Sequence, residues 1–400
     1  MLIKNYNQFL LEKMGVPEGI VDSAKKLYNL ILSEFEENYD EELYPGRNNI
    51  RKLSIDLDLE IKISEMTFNN INFEVTIIFN DKFSDVEAMS WGVLVPPTSR
   101  DDHKLHYDVS NVNSINLSTN LLSKEGNTFE DVAKYLKRDK NKTIGIISHE
   151  LKHVYDKYKI KKELLSDIVD YATWSRTRTG FSPIDDFIYY IYVISKSESL
   201  VRPSEIAGQL ESSEITKSEF KEFLESTAIY RDISKIKKFT FSGLKSDLLK
   251  DISKIRESFD DIPEDETDED VIDTVLQITY ESMVKSSVDI MSDILGISDP
   301  IKKLIGIIKQ EDIDFANNYF EKLIFKNKEE FFVFWEKKIK FEADKVLKKI
   351  SKLFDMCKDD SPNQLMDKIN QRVNGDCIVN PELYDKFVLK TNEKKYKFKK

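Results

Sequence analysis

After one opening helix, the hydrophobic period of this chain passes from two residues to about 3.6, and that change limits the folds open to it. Leu53, Ile55, Leu57, Leu59, Ile61 and Ile63 alternate with mostly polar residues, and Ile71, Phe73, Val75, Ile77 and Phe79 repeat the alternation after Asn69-Asn70. Alternation puts every second side chain on one face of a pleated strand, so these runs predict two long antiparallel strands joined by a turn at Asn69-Asn70. Trp91 to Val95 predicts a further strand, stopped by Pro96-Pro97, and Leu105, Tyr107 and Val109 with Ile115 and Leu117 predict a shorter, interrupted one. Beyond about Phe129 the apolar residues recur every three or four positions, near 143–160, 183–199, 216–238, 271–296 and 329–354, which is the spacing of helical faces. Ile20, Ala24, Leu27, Ile31 and Phe35 predict an earlier amphipathic helix between Pro17 and Tyr39. The expected class is α+β, with an N-terminal antiparallel or mixed sheet followed by a mainly helical C-terminal half.

At 400 residues the chain exceeds the usual size of one domain. The segment Asp260 to Asp270 holds eight acids among eleven residues, too much like charge to pack, and reads as a solvated linker. The expected organisation is an N-terminal segment 1–16, a unit 17–259 with its sheet in 50–120 and its helices in 128–259, the linker 260–270, and a helical domain 271–400. That last domain ends in a basic tail, Glu393-Lys-Lys-Tyr-Lys-Phe-Lys-Lys400, read as a solvated end. A net charge of −12 disfavours broad attraction to nucleic acid or to an anionic membrane. The longest apolar run, Phe187 to Ile194, is too short to span a bilayer, and the first fourteen residues lack the apolar stretch of an export signal. Two cysteines, Cys357 and Cys377, cannot staple a fold of this size and suit a reducing compartment, so the expected location is cytoplasmic.

The chemistry is concentrated in Lys142-Thr-Ile-Gly-Ile-Ile-Ser-His-Glu-Leu-Lys-His-Val-Tyr-Asp156, where His149, Glu150 and His153 stand in the order H-E-x-x-H. Residues four apart on a helix lie one above the other, about 6 Å apart, so two imidazoles at that spacing can hold one tetrahedral zinc. Zinc lowers the pKa of a water it binds from about 15.7 towards 7, and the adjacent Glu150 carboxylate can take the proton as that water attacks a carbonyl. Ile144, Ile147, Leu151, Val154 and Tyr158 form an apolar stripe, and Asn141 or Thr143 can cap the start, so the motif belongs on a buried helix. An ordinary amphipathic helix with two hydrogen-bonded histidines is the plainer account.

Ile144-Gly-Ile-Ile-Ser-His-Glu-Leu-Lys-His-Val-Tyr155 resembles the active-site helix of the zincin metallopeptidases, and the order of elements over about residues 50–212 is similar. The resemblance implies one Zn2+ held by His149, His153 and a carboxylate from a later helix, with Glu150 as general base and then proton donor, acting on a protein or peptide substrate. It also implies that the last strand before the helix, about Tyr107 to Ser118, is an edge strand that pairs with extended substrate. The metzincin branch is excluded, because Asp156 and Lys159 stand where that branch has Gly and a third ligand. The expected type is gluzincin-like, similar to uncharacterised phage and bacterial metallopeptidases. For the third ligand Glu198 and Glu205 compete, and Glu205 is favoured. Pro203 suits a first helical position, which would put Glu205 in a first turn, while Ala207 and Gly208 are small enough for close helix approach. Gln209 could then hydrogen-bond a ligand histidine.

His103 and His106 share a loop with Asp101 and Asp102 and could form a second metal site, though a solvated loop after Pro96-Pro97 is the simpler account. Tyr189, Tyr190 and Tyr192 are chemically suited to stabilise an oxyanion, and equally to fill a core with Phe187 and Ile188; residues alone do not choose among them. Met1 to Glu12, ending Leu10-Leu11-Glu12, resembles the short capsid-targeting leaders of internal head proteins of large tailed bacteriophages, where a prohead protease cuts after Leu/Ile-x-Glu. That similarity implies virion association, whereas a plain helical turn is the alternative. Two other functions stay open: a non-catalytic zincin-like virion or structural protein, and a toxin-type or cell-wall-directed hydrolase using the same centre.

Overall fold

A computed structural model describes residues 15–37, 49–57, 60–68, 71–80, 85–91, 114–122, 128–159, 179–258, 265–295 and 310–360. The expected elements at Asn69-Asn70, at 92–113 with His103 and His106, in the leader 1–14, in 260–264 and in the tail lie outside the described residues, as does Cys377.

The first helix, α1 (Ile20–Glu37), buries Ile20, Ala24, Leu27, Ile31 and Phe35, the stripe its periodicity predicts. Among the described residues six strands follow: β1 (Ile50–Leu57), β2 (Ile61–Ile63), β3 (Met66–Phe68), β4 (Ile71–Asn80), β5 (Asp85–Trp91) and β6 (Ser114–Leu122). The first alternating run is thus not one strand. Its part up to Leu57 pairs antiparallel with β4, Leu53 opposite Val75, while Ile61–Ile63 turns through Ser64 into a separate hairpin with β3. Tertiary anchoring explains the split. Ile61 and Ile63 are buried, Ser64 donates its backbone N–H to the Glu18 carbonyl, and Ser23 Oγ donates to the Lys62 carbonyl, so the hairpin is tied to the start of α1. Gly19 permits this contact: its φ is +79°, and a Cβ there would lie 2.8 Å from the Lys62 oxygen.

The main sheet is mixed, in the order β1-β4-β6-β5, with β4 and β6 parallel and the outer pairs antiparallel. Val75 and Ile77 of β4 and Ile115 and Leu117 of β6 are buried, with Val75 beside Leu117 in register. One expectation is corrected by this order. The last described strand before the H-E-x-x-H segment, β6, lies inside the sheet, and among the described strands the edge next to it is β5.

The helices are α2 (Phe129–Arg138), α3 (Lys140–Lys159), α4 (Ser182–Val193), α5 (Lys196–Ser213), α6 (Phe220–Ser226), α7 (Ala228–Ile236), α8 (Phe241–Lys250), α9 (Ile252–Ser258), α10 (Asp268–Leu295), α11 (Gln310–Glu321) and α12 (Lys328–Ser351). Thr128 caps α2 with a reciprocal capping box to Asp131. Only Asp139 separates the end of α2 from the start of α3, so Thr143 does not cap α3 and instead donates to the Asp139 carbonyl from within the first turn. The apolar run expected to be helical over 183–199 breaks at Ser195, the N-cap of α5, and the run over 216–238 breaks at Thr227, the N-cap of α7.

The acidic segment is not a linker throughout. Asp268, Glu269 and Asp270 form the first turn of α10, where carboxylates complement the helix dipole, and Thr267 Oγ1 accepts the Asp270 N–H. Nor does it separate two cores. Phe187 of α4 stacks on Phe239 and meets Phe331 and Phe332 of α12 with ring centroids 6.4 and 5.1 Å away, so helices from both sides of the acidic segment pack into one hydrophobic cluster. Cys357 is a buried free thiol behind α12.

Candidate metal centre

Helix α3 carries His149, Glu150 and His153, and α5 crosses it closely enough to complete a cluster. The crossing depends on two glycines. A Cβ on Gly208 would fall 3.0 Å from the Gly145 Cα and 2.6 Å from Ser148 Oγ, and one on Gly145 would fall 2.7 Å from the Glu205 carbonyl oxygen. Neither contact leaves room for a side chain. The small size of Gly208 therefore serves the approach its sequence context suggests, and Gly145 supplies the matching half.

With the helices this close, the first turn of α5 reaches the histidines. Ser195 Oγ accepts the Glu198 N–H at 3.4 Å, fixing the start of α5 so that Glu198 points at α3. His149 Nε2 lies 3.1 Å from His153 Nε2 and 3.5 Å from Glu198 Oε2, and His153 Nε2 lies 3.3 Å from Glu198 Oε1. A tetrahedral ion bonded at about 2.0–2.1 Å separates its ligand atoms by about 3.3 to 3.4 Å. Two imidazole nitrogens and one carboxylate at these separations can hold a metal ion. Glu150 is buried beside them, its Oε1 4.0 Å from His149 Nε2.

The expectation that Glu205 is the third ligand does not match this geometry. Glu205 Oε2 lies 2.8 Å from Nδ1 of His149, the opposite side of the ring from the cluster. With the proton on Nδ1, His149 donates to Glu205 and turns its Nε2 lone pair to the other donors. The error follows from reading Pro203 as a helix start. The helix starts seven residues earlier at Lys196, Pro203 lies in its interior, and Glu198, not Glu205, occupies the first turn. A local signal was available, since Ser195-Lys-Ser-Glu198 has the S-x-x-E spacing of a helix N-terminus. Gln209 also takes a different place: its side chain packs over Gly145, and the histidine support expected of it comes from Glu205.

Of the three tyrosines, Tyr192 reaches the cluster, donating its hydroxyl to Glu198 Oε1 at 2.7 Å. Tyr190 packs against Phe239 in the core, and Tyr189 lies against the Tyr192 ring. Arg202 Nη2 donates to Glu198 Oε2 at 2.9 Å, and its Nη1 lies 3.6 Å from Glu205 Oε2. A carboxylate offers about four lone-pair positions, so these two donors leave Glu198 able to bind an ion as well.

The charge states follow from this packing. Burial opposes ionisation of Glu198, but the Arg202 guanidinium and then the His153 and His149 rings outweigh it and hold the carboxyl well below the usual range. Burial likewise disfavours a charged His149 and Arg202 opposes it, yet the Glu205 hydrogen bond and the Glu198 and Glu150 carboxylates raise its pKa above 6.5. Burial, then the charge and hydrogen bond of Glu198, push the Tyr192 phenol far up, so it stays a neutral donor.

Against protein-family models, curated proteins and solved structures, the chain finds no match. Among the described residues no helix is long and apolar enough to cross a membrane.

Proposed function

We propose that this chain is a zinc-dependent metallopeptidase of gluzincin-like type, with His149, His153 and Glu198 as the zinc ligands and Glu150 as the general base. The observation that carries the reading is the convergence of His149 Nε2, His153 Nε2 and the two Glu198 carboxylate oxygens at separations of 3.1 to 3.5 Å, with the buried Glu150 carboxylate beside them. Two histidines and a carboxylate are a donor set suited to zinc, and they leave a fourth position for water or substrate. When bound, zinc would polarise a substrate carbonyl and lower the pKa of water at that position.

The protein groups then divide the remaining work. Glu150 takes a proton from the attacking water and passes it to the amine nitrogen as the C–N bond breaks, so the water oxygen ends in the new carboxylate and the proton on the new amine. Glu205 holds the His149 ring through Nδ1, and Tyr192 holds Glu198 as a neutral donor. Strand β5 is the sheet edge among the described strands and lies beside α3, which makes it the edge that an extended peptide would join.

The test is metal content followed by turnover. Purified protein should carry one zinc per chain by mass spectrometry and cleave casein or a peptide library, with activity lost to a chelator and restored by zinc. One tightly bound zinc with no cleavage of any peptide would favour a non-catalytic role for the same centre.

A further inference from the structure

We propose that Arg202 is a positioning residue of this centre, a clamp that sets the ligand carboxylate Glu198 and the ring-orienting carboxylate Glu205 at a fixed separation. The inference rests on the metal-binding reading above. Glu198, Arg202 and Glu205 stand at i, i+4 and i+7 on α5, which places all three on the face turned to α3. From the middle of that face the guanidinium donates Nη2 to Glu198 at 2.9 Å and sets Nη1 3.6 Å from Glu205.

Pro203 shows why a clamp is needed here. It lies within the helix and has no N–H to give to the Ser199 carbonyl, so the backbone ladder is interrupted between the two carboxylates. Arg202 spans that gap through side chains. Its guanidinium is buried, and its Nε has no hydrogen-bond partner among the described residues, so the two Nη groups carry its polar contacts to the carboxylates. A planar fork can address two carboxylates in fixed directions, which a lysine ammonium cannot do.

A clamp and a bare charge predict opposite signs. Removing a positive charge near a divalent cation should strengthen metal binding by Coulomb's law. Releasing two carboxylates from a fixed geometry should weaken it, by about 10- to 100-fold if Arg202 resembles other groups that orient metal ligands.

The full-length protein is stripped with chelator, and zinc affinity is read by competition with a chromogenic chelator for wild type, Arg202→Met and Arg202→Lys. The expected result is weaker binding in both variants, with a changed visible absorption of the cobalt-loaded forms. Zinc affinity equal to or above wild type in Arg202→Met overturns the proposal, as does full rescue by Arg202→Lys, which would leave charge alone at work. Should the Met variant fail to fold, the Lys variant decides, since it keeps the charge and most of the buried stem. Wild type that binds no zinc removes the metal reading itself, a result distinct from a wild type that binds while the variants match it.

Discussion

Glu205 Oε2 sits 2.8 Å from Nδ1 of His149, while Nε2 of the same ring faces His153 and Glu198. One imidazole thus joins a carboxylate that orients it to a carboxylate that shares the candidate metal position, and the two glutamates are separable by experiment. Glu198→Ala should abolish stable zinc binding, because two protein ligands rarely hold zinc. Glu205→Gln should bind zinc about 10- to 100-fold more weakly than wild type but still bind it. Chelator competition at one pH reads both, and a larger loss from Glu205→Gln than from Glu198→Ala would reverse the assignment.

On the peptidase reading proposed above, Glu150→Gln should retain fold and zinc and lose peptide hydrolysis by several orders of magnitude. The amide has nearly the shape of the carboxylate but cannot accept a proton from water. Steady-state cleavage of a fluorogenic peptide, alongside zinc content, measures this; wild-type turnover in the variant would remove Glu150 from the chemistry.

Gly145→Ala should destabilise the chain by about 1–3 kcal/mol, the usual cost of forcing a methyl into a packed contact. The added Cβ would meet the Glu205 carbonyl oxygen at 2.7 Å and push α5 from α3. Because α5 carries Glu198, zinc affinity should fall in the same variant. Urea unfolding of the metal-free protein and chelator competition test the two effects, and an unchanged urea midpoint would mean that the helices yield without cost.

Stability of the metal-free protein should depend on pH through two opposed groups. His149 has a folded pKa raised above 6.5, so its contribution is full below that value and is lost as pH rises through the raised pKa. Glu198 has a folded pKa below 4.5, so its contribution is present above 4.5 and is lost as pH falls through the lowered one. Both operate together between 4.5 and 6.5. Urea midpoints across pH for metal-free wild type and His149→Gln should therefore diverge most below 6.5 and converge as pH rises through the raised pKa; parallel curves would exclude a role for His149 protonation. Zinc binding has to displace that proton, so affinity should fall as pH is lowered.

What could be read from residues alone was what depends on neighbours a few positions apart. The i, i+4 placement of His149 and His153 on a helix, the buried stripe of α1 and the change from strand period to helix period are local properties of the backbone, and each appears where its spacing puts it. Whatever needed a distant partner was decided by packing. Alternation alone extends a single strand from Leu53 to Ile63, but the contacts of Lys62 and Ser64 with the start of α1 cut it in two. Pro203 alone suits a helix start, but the Ser195 cap and the Gly145–Gly208 crossing carry α5 through it. That crossing brings Glu198, 45 residues beyond His153, to the Nε2 atoms and leaves Glu205 behind the ring. Two glutamates of the same chemistry seven residues apart differ in role only through the register of one helix against another, and a register is set by close contact between surfaces, which no spacing along the chain encodes.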